Sequence, residues 1–182
     1  MQSRIIAAPL LGLAVLLAGC SGRSGMQQAL NTAPCPRIGI LADAADLTKF
    51  RSAGSQDLSD LELDARIGGF NAKCDYARNG RGLEVVLTMS MRAERGPAAT
   101  GRTADLPYLI AVVDEAGNRV LSRQAFAARV TFPSNVNRAE IAGEEISVTI
   151  PGSREVAQSR AVLLGFQLSE EQLALNRRRG PR

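Results

Sequence analysis

The stretch LELDARIGGFNAKCDYARNGRGLEVVLTMSM, residues 61–91, decides the fold. Leu61, Leu63, Ala65 and Ile67 alternate with Glu62, Asp64 and Arg66, the period-two pattern of a strand with one face in a core. Past Gly68-Gly69 the apolar set changes parity to Phe70, Ala72, Cys74 and Tyr76. One extra residue at a glycine pair is the mark of a β-bulge, which bends a strand and is expected here to carry it from one sheet to the other. Asn79-Gly80-Arg81-Gly82 supplies a turn, with glycine free to take positive φ. Leu83, Val85, Leu87, Met89 and Met91 then alternate with Glu84, Val86, Thr88, Ser90 and Arg92. The two runs predict an antiparallel hairpin.

Strand signals continue on both sides of it. Leu106 to Val113 is nearly all apolar, and Asp114 to Asn118 turns it into a second hairpin. On the return strand Val120, Phe126, Ala128, Val130 and Phe132 share one parity, opposite Arg119, Arg123 and Arg129, and Pro133 ends it. Upstream, Pro34-Cys35-Pro36 precedes a short apolar run, Ile38 to Leu41, that fits an edge strand with its prolines at the start. Asp43 to Arg51 fits either a helical turn or a short strand, and Ser52 to Asp60 is a polar loop. Glu94 to Ala104 reads as an exposed loop and Asn135 to Glu145 as a polar one. Ile146, Val148 and Ile150 form a strand stopped by Pro151-Gly152, and Arg160 to Leu168 holds the last strand. Ser169 and Gln172 fit a capping box that opens a short helix through Leu175. The pattern, six or seven strands joined by hairpin turns without crossover helices, predicts an all-β fold. The expected form is an antiparallel immunoglobulin- or fibronectin-like β-sandwich with a short C-terminal helix, spanning residues 34–176 and followed by a basic flexible tail over 177–182.

Composition removes several kinds of chemistry. Histidine is absent from the 182 residues, so neither a Ser-His-Asp triad, a Cys-His pair nor a His-ligated zinc site can be built. What remains is weak. Glu144-Glu145 and Glu170-Glu171 are adjacent carboxylates, whereas a catalytic pair must face one substrate. Lys49 and Lys73 are the only lysines, and no Ser-x-x-Lys accompanies them. Asp57, Asp60, Glu62 and Asp64 match no calcium loop and read as a solvated acidic segment. Gly68-Gly69 and Gly80-x-Gly82 do not precede a helix, so turn and bulge explain them better than a phosphate cradle. No catalytic residue, metal site or cofactor is expected, and the chain reads as a non-enzyme. The formal charge is +4, and 20 of the 22 basic residues are arginine once the two lysines are set aside. That balance is too mild to indicate nucleic-acid binding. The basic end, Arg177, Arg178, Arg179 and Arg182, is the candidate for contact with an anionic surface, against the alternative of a solvated terminus.

The N-terminus begins Met1-Gln2-Ser3-Arg4, runs apolar from Ile5 to Leu17 and closes with Leu17-Ala18-Gly19-Cys20. One basic residue, a short apolar run and two small residues have the order of a secretory signal. A cysteine directly after the small pair resembles the lipobox of bacterial lipoproteins. That resemblance implies a signal peptide over residues 1–19, cleavage before Cys20, lipidation of the Cys20 thiol, and a lipidated tether over residues 20–33. An uncleaved signal anchor is the alternative, although an apolar run broken by Pro9 and Gly12 is short for a span of roughly 20 residues. An ordinary cleaved signal with an incidental cysteine is another. Ser21 after the lipidated residue, where aspartate would favour retention in the inner membrane, implies the periplasmic face of the outer membrane. The inner membrane is the alternative. With Cys20 consumed by lipid, Cys35 and Cys74 are left as an even pair in an oxidising compartment and are expected to form a disulfide, two free buried thiols being the other reading.

A second resemblance runs through Leu109-Ile110-Ala111-Val112-Val113-Asp114, Gly117-Asn118, Phe132-Pro133, Ile150-Pro151 and Gly165 to Leu173. These segments look like uncharacterised envelope lipoproteins of α-proteobacteria, which adds a source and a fold expectation but no mechanism. Together the two resemblances imply a lipid-anchored periplasmic sandwich that binds another envelope component. Its partners would be the membrane, through N-terminal acyl chains, and an envelope protein met at the loops of residues 94–104 and 135–145 or at an exposed edge strand. The alternative function is small-ligand or glycan binding in a pocket between the sheets.

Overall fold

The structure, a computed structural model, describes residues 33–77, 81–114, 116 and 118–180. In chain order its strands are β1 (Arg37–Ile40), β2 (Asp46–Phe50), β3 (Leu61–Tyr76), β4 (Leu83–Arg95), β5 (Thr103–Asp114), β6 (Arg119–Thr131), β7 (Arg138–Ala142), β8 (Ile146–Ile150) and β9 (Ala161–Phe166). Two helices, α1 (Arg154–Gln158) and α2 (Glu170–Arg179), flank β9. One sheet has the order β1-β9-β5-β6; the other runs β2-β3-β4-β7, with β8 also on β4. All pairs are antiparallel except β1 with β9.

The alternation read from the sequence is what holds the layers together. Leu83, Val85, Leu87, Met89, Met91 and Ala93 of β4 all turn into one core, where they meet Leu106, Tyr108, Ile110 and Val112 of β5 and Val162, Leu164 and Phe166 of β9. Each of the larger of these side chains contributes about 2 kcal/mol through burial, so the β4–β5–β9 layer contact is a substantial source of stability. Cys35 is bonded to Cys74 with the Cα atoms 5.2 Å apart, and the Ala33 N–H donates to the Cys74 carbonyl at 2.9 Å. The incoming chain is therefore fastened to the end of β3. The architecture is the antiparallel β-sandwich with a short C-terminal helix that the sequence implies.

Several local expectations change. Gly68 has no partner across β4, because the register shifts between Ile67 and Gly69, so the bulge and the parity change are real. The strand nevertheless stays on β4 on both sides of the bulge and does not move between sheets. A second irregularity, at Val112/Val113 of β5, leaves Leu121 of β6 unpaired. That reverses the parity before it, so Val120 is 65% exposed instead of sharing the core face with Phe126 and Val130. The segment 43–51 divides into a 3-10 turn at Ala42–Ala44 and β2. β7 occupies the middle of what reads as a polar loop, and α1, capped by Ser153, was not legible at all. The basic end is not a flexible tail from residue 177. α2 continues to Arg179, because Asn176 is buried and three arginines in the last turn suit the negative end of the helix dipole.

Candidate functional site

Of the residues singled out in the sequence, Cys20 and Arg182 lie outside the described residues. Arg177 pairs with Asp43 at 2.9 Å and Arg179 donates to Thr48 Oγ1 at 3.2 Å, so both turn toward the sandwich. Arg178, in the last turn of α2, helps line a small hollow together with Gly54 and Leu175. Glu170 and Glu171 occupy the first turn of α2, where negative charge is favoured, and Glu144-Glu145 are exposed between β7 and β8. Lys73 is exposed and paired with Asp75 at 3.6 Å. The acidic segment is taken up locally: Asp57 caps a 3-10 turn at Leu58–Asp60, and Asp60 accepts from the Ser52 N–H at 3.1 Å. The Ser59 backbone N–H holds Asp57 below the ordinary carboxylate range, and hydrogen bonds from Ser52 do the same for Asp60. Among the described residues no cluster of carboxylates or cysteines is arranged to hold a metal ion.

The structure brings together residues that the sequence placed apart. The chain enters at Ala33 beside Cys74, next to where β4 begins and β8 ends. At the opposite end of β4, 13 residues or roughly 40 Å away, the loop after Arg95 and the loop before Arg138 meet. The Arg95 N–H donates to the Asn137 carbonyl at 2.7 Å, and the Phe132 N–H to the Arg102 carbonyl at 2.7 Å. Beside them opens a cleft of about 530 Å³, walled by Lys49 and Glu62 on one side, Thr100 and Gly101 on another, and Asp105, Arg129 and Phe132 on the third.

The loop forming the middle wall is not simply exposed. Gly96 and Ala98 are buried, and their N–H groups bond to the Glu62 and Leu61 carbonyls at 2.9 Å. A Cβ at Gly96 would run into the Leu61 carbonyl, so only glycine permits this approach. Three arginines lace the loop down. Arg95 donates to the Gly101 and Ala99 carbonyls, Arg51 to the Ala98 carbonyl, and Arg102 to the Phe132 carbonyl. The shape of the cleft is thus set by charge-assisted bonds to backbone oxygens, which are about twice as strong as neutral ones.

Charge around the cleft is nearly balanced. Lys49 pairs with Glu62 at 3.4 Å, and Arg129 grips both oxygens of Asp105 at 2.7 and 3.2 Å. The Arg129 guanidinium holds the Asp105 carboxyl below its ordinary range, and Asp105 in turn raises Arg129. Across the core, burial pushes the Tyr108 phenol up, with a further push from the charge of Glu144. The cleft therefore offers paired charges and backbone edges, suited to holding a polar or peptide-like group. The Asp105–Arg129 wall was missed in the sequence, yet the hairpin register would have set these two opposite each other. Comparison with known protein families, with curated proteins and with solved structures gave no match.

Proposed function

We propose that this chain is a lipid-anchored, non-enzymatic protein of the bacterial envelope, facing the periplasm, whose sandwich binds another envelope component. One observation carries the reading. The chain is fastened by Cys35–Cys74 at one end of the sandwich, while at the other the loops of residues 96–102 and 132–137 meet beside a cleft lined by Thr100, Gly101 and Phe132. A body tethered through Cys20 presents that far end to its surroundings. The Cys35–Cys74 bridge agrees with an oxidising compartment, and the outer membrane is the favoured site by Ser21. Two or three acyl chains hold firmly where one would not, so the tether is a lasting one.

A smaller partner is the second reading, favoured by a cleft volume in the range of small-ligand sites. Such a ligand or glycan would sit in the far-end cleft and not between the sheets, where Leu83, Leu106, Ile110 and Leu164 fill the space. The test is site-specific photocrosslinking in intact cells from Thr100 and Val136. A single envelope protein captured from both positions, and not from Lys73 near the tether end, supports the first reading. Absence of any protein adduct, with glycan or small-molecule mass appearing on the chain instead, moves the assignment to the second.

A further inference from the structure

The sandwich has four open edges, and three of them are closed off. β1 is four residues long and follows Pro34 and Pro36. β2 is covered by α2: the Asp46 and Thr48 carbonyls point away from β3 and accept from Asn176 Nδ2 at 2.8 Å and Gln172 Nε2 at 3.2 Å. β7 and β8 are two five-residue pieces with different registers on β4, parted at Gly143. Short strands, covering helices and breaks are the usual means of preventing strand addition.

β6 is neither short nor covered by a helix, and its one irregularity, at Leu121, lies near its start. It is 13 residues long and keeps one register with β5 from Ser122 to Thr131. The Phe132 N–H bond to the Arg102 carbonyl sets the alternation along the pair. Even-numbered residues bond to β5, so Arg123, Ala125, Ala127 and Arg129 turn their N–H and C=O groups to the open side. Among the described residues these groups make no other backbone hydrogen bond. Phe126 stacks on Tyr108 with ring centroids 5.4 Å apart, which holds the middle of the strand in place.

We propose that β6 accepts an extended, acid-bearing segment of a partner protein as an added strand. Charge selects the partner. β6 carries Arg119, Arg123 and Arg129 and no acidic residue. Arg119 is answered by Asp114 and Arg129 by Asp105, while Arg123 has no ion-pair partner among the described residues. A second copy would lay one arginine-bearing edge against another, and facing like charges disfavour that pairing. A strand with carboxylates on alternate residues meets Arg123 and Arg129 on one face, about 20 Å apart. The inference deepens the proposed function by naming a surface and a partner chemistry, and it rests on that reading only in taking the partner to be a protein.

The test uses the full-length chain in detergent and a short peptide of alternating valine and glutamate, with its valine–lysine counterpart. The glutamate peptide is expected to bind, more weakly as salt rises, and to slow amide exchange at Arg123, Ala125, Ala127 and Arg129. Arg123→Glu should weaken binding about tenfold or more. Ala125→Pro, which removes one edge-facing N–H and no bond to β5, should abolish it. If the proline disturbs the strand, the charge reversal at an exposed side chain carries the same test. Equal binding of the two peptides, protection away from β6, or indifference to Arg123→Glu overturns the proposal. Protection of β6 that grows with protein concentration alone also overturns it, in favour of a second copy. Capture of an envelope protein from Thr100 with β6 exchange unchanged sinks this inference and leaves the proposed function standing.

Discussion

Asp105 is fixed by one neighbour, and that makes its behaviour with pH predictable. Arg129 donates to both carboxylate oxygens and holds the group below its ordinary value of 3.8. A carboxylate lowered on folding contributes stability that is present above the unfolded value and lost as pH falls through the lower folded one. The cleft wall should therefore persist when ordinary carboxylates have begun to protonate. In an NMR titration the Asp105 carboxyl carbon is expected to reach its midpoint below 3.8, and Arg129→Ala to return it there. A native midpoint at or above the ordinary value would show that Arg129 does not hold it. Gly165 supplies a steric counterpart. A Cβ there would lie 2.9 Å from Ala44 Cβ and 3.4 Å from Leu41 Cδ1, whereas one at Gly39 would meet nothing closer than 3.9 Å. Gly165→Ala should cost about 1–3 kcal/mol by overpacking. Gly39→Ala should leave the melting temperature almost unmoved; equal losses would contradict this account. Neither site was read from the sequence. The first needs the register of β5 on β6, and the second needs the 3-10 turn to cross the outer face of β9.

Among the elements, α2 has a task beyond its own length. Its capping box, Ser169 with Gln172, was readable because both bonds depend on residues three apart. The extent of the helix was not, since only Leu173, Ala174 and Leu175 precede a basic run that resembles a terminus. What keeps the helix in place is tertiary: Asn176 donates to the Asp43 and Asp46 carbonyls, both at 2.8 Å. β7 escaped notice for a related reason. Its outward residues, Arg138 and Glu140, pair with Glu94 and Arg92 of β4, and only Ala139 and Ile141 carry the apolar signal. A five-residue strand stabilised by a partner distant in the chain looks like a loop when read alone. Asn176→Ala leaves two carbonyls without their donor and should destabilise by about 1–3 kcal/mol. It should also quicken amide exchange along β2. Ser169→Ala, which weakens the helix start by about 1 kcal/mol, should leave the Asn176 bonds intact and change β2 exchange far less. Similar exchange in both variants would mean that the helix as a whole, and not this amide, shields the edge.

At the scale of the molecule, the proposed lipid anchor and the disulfide act on different properties, and two variants can separate them. The bridge joins residues 39 apart in the sequence, and closing a loop of that size contributes about 4 kcal/mol on the chain-entropy account. It also ties β1 and the incoming chain to β3, so its loss loosens the start of β1 and the C-terminal end of β3 together. Cys35→Ser with Cys74→Ser should lower the melting temperature by roughly 10 °C, at about 2–4 °C per kcal/mol for a chain of this size. Membrane association should be untouched by that change, because the acyl chains of the proposed reading sit on Cys20. Cys20→Ala should do the reverse. It leaves the sandwich with its bridge and its melting temperature, but abolishes incorporation of radiolabelled palmitate and releases the protein from membranes. Label retained by Cys20→Ala would overturn the anchor while sparing the sandwich. Release by the serine pair with label still attached would mean instead that the folded body, through some surface of its own, holds the membrane alongside the lipid.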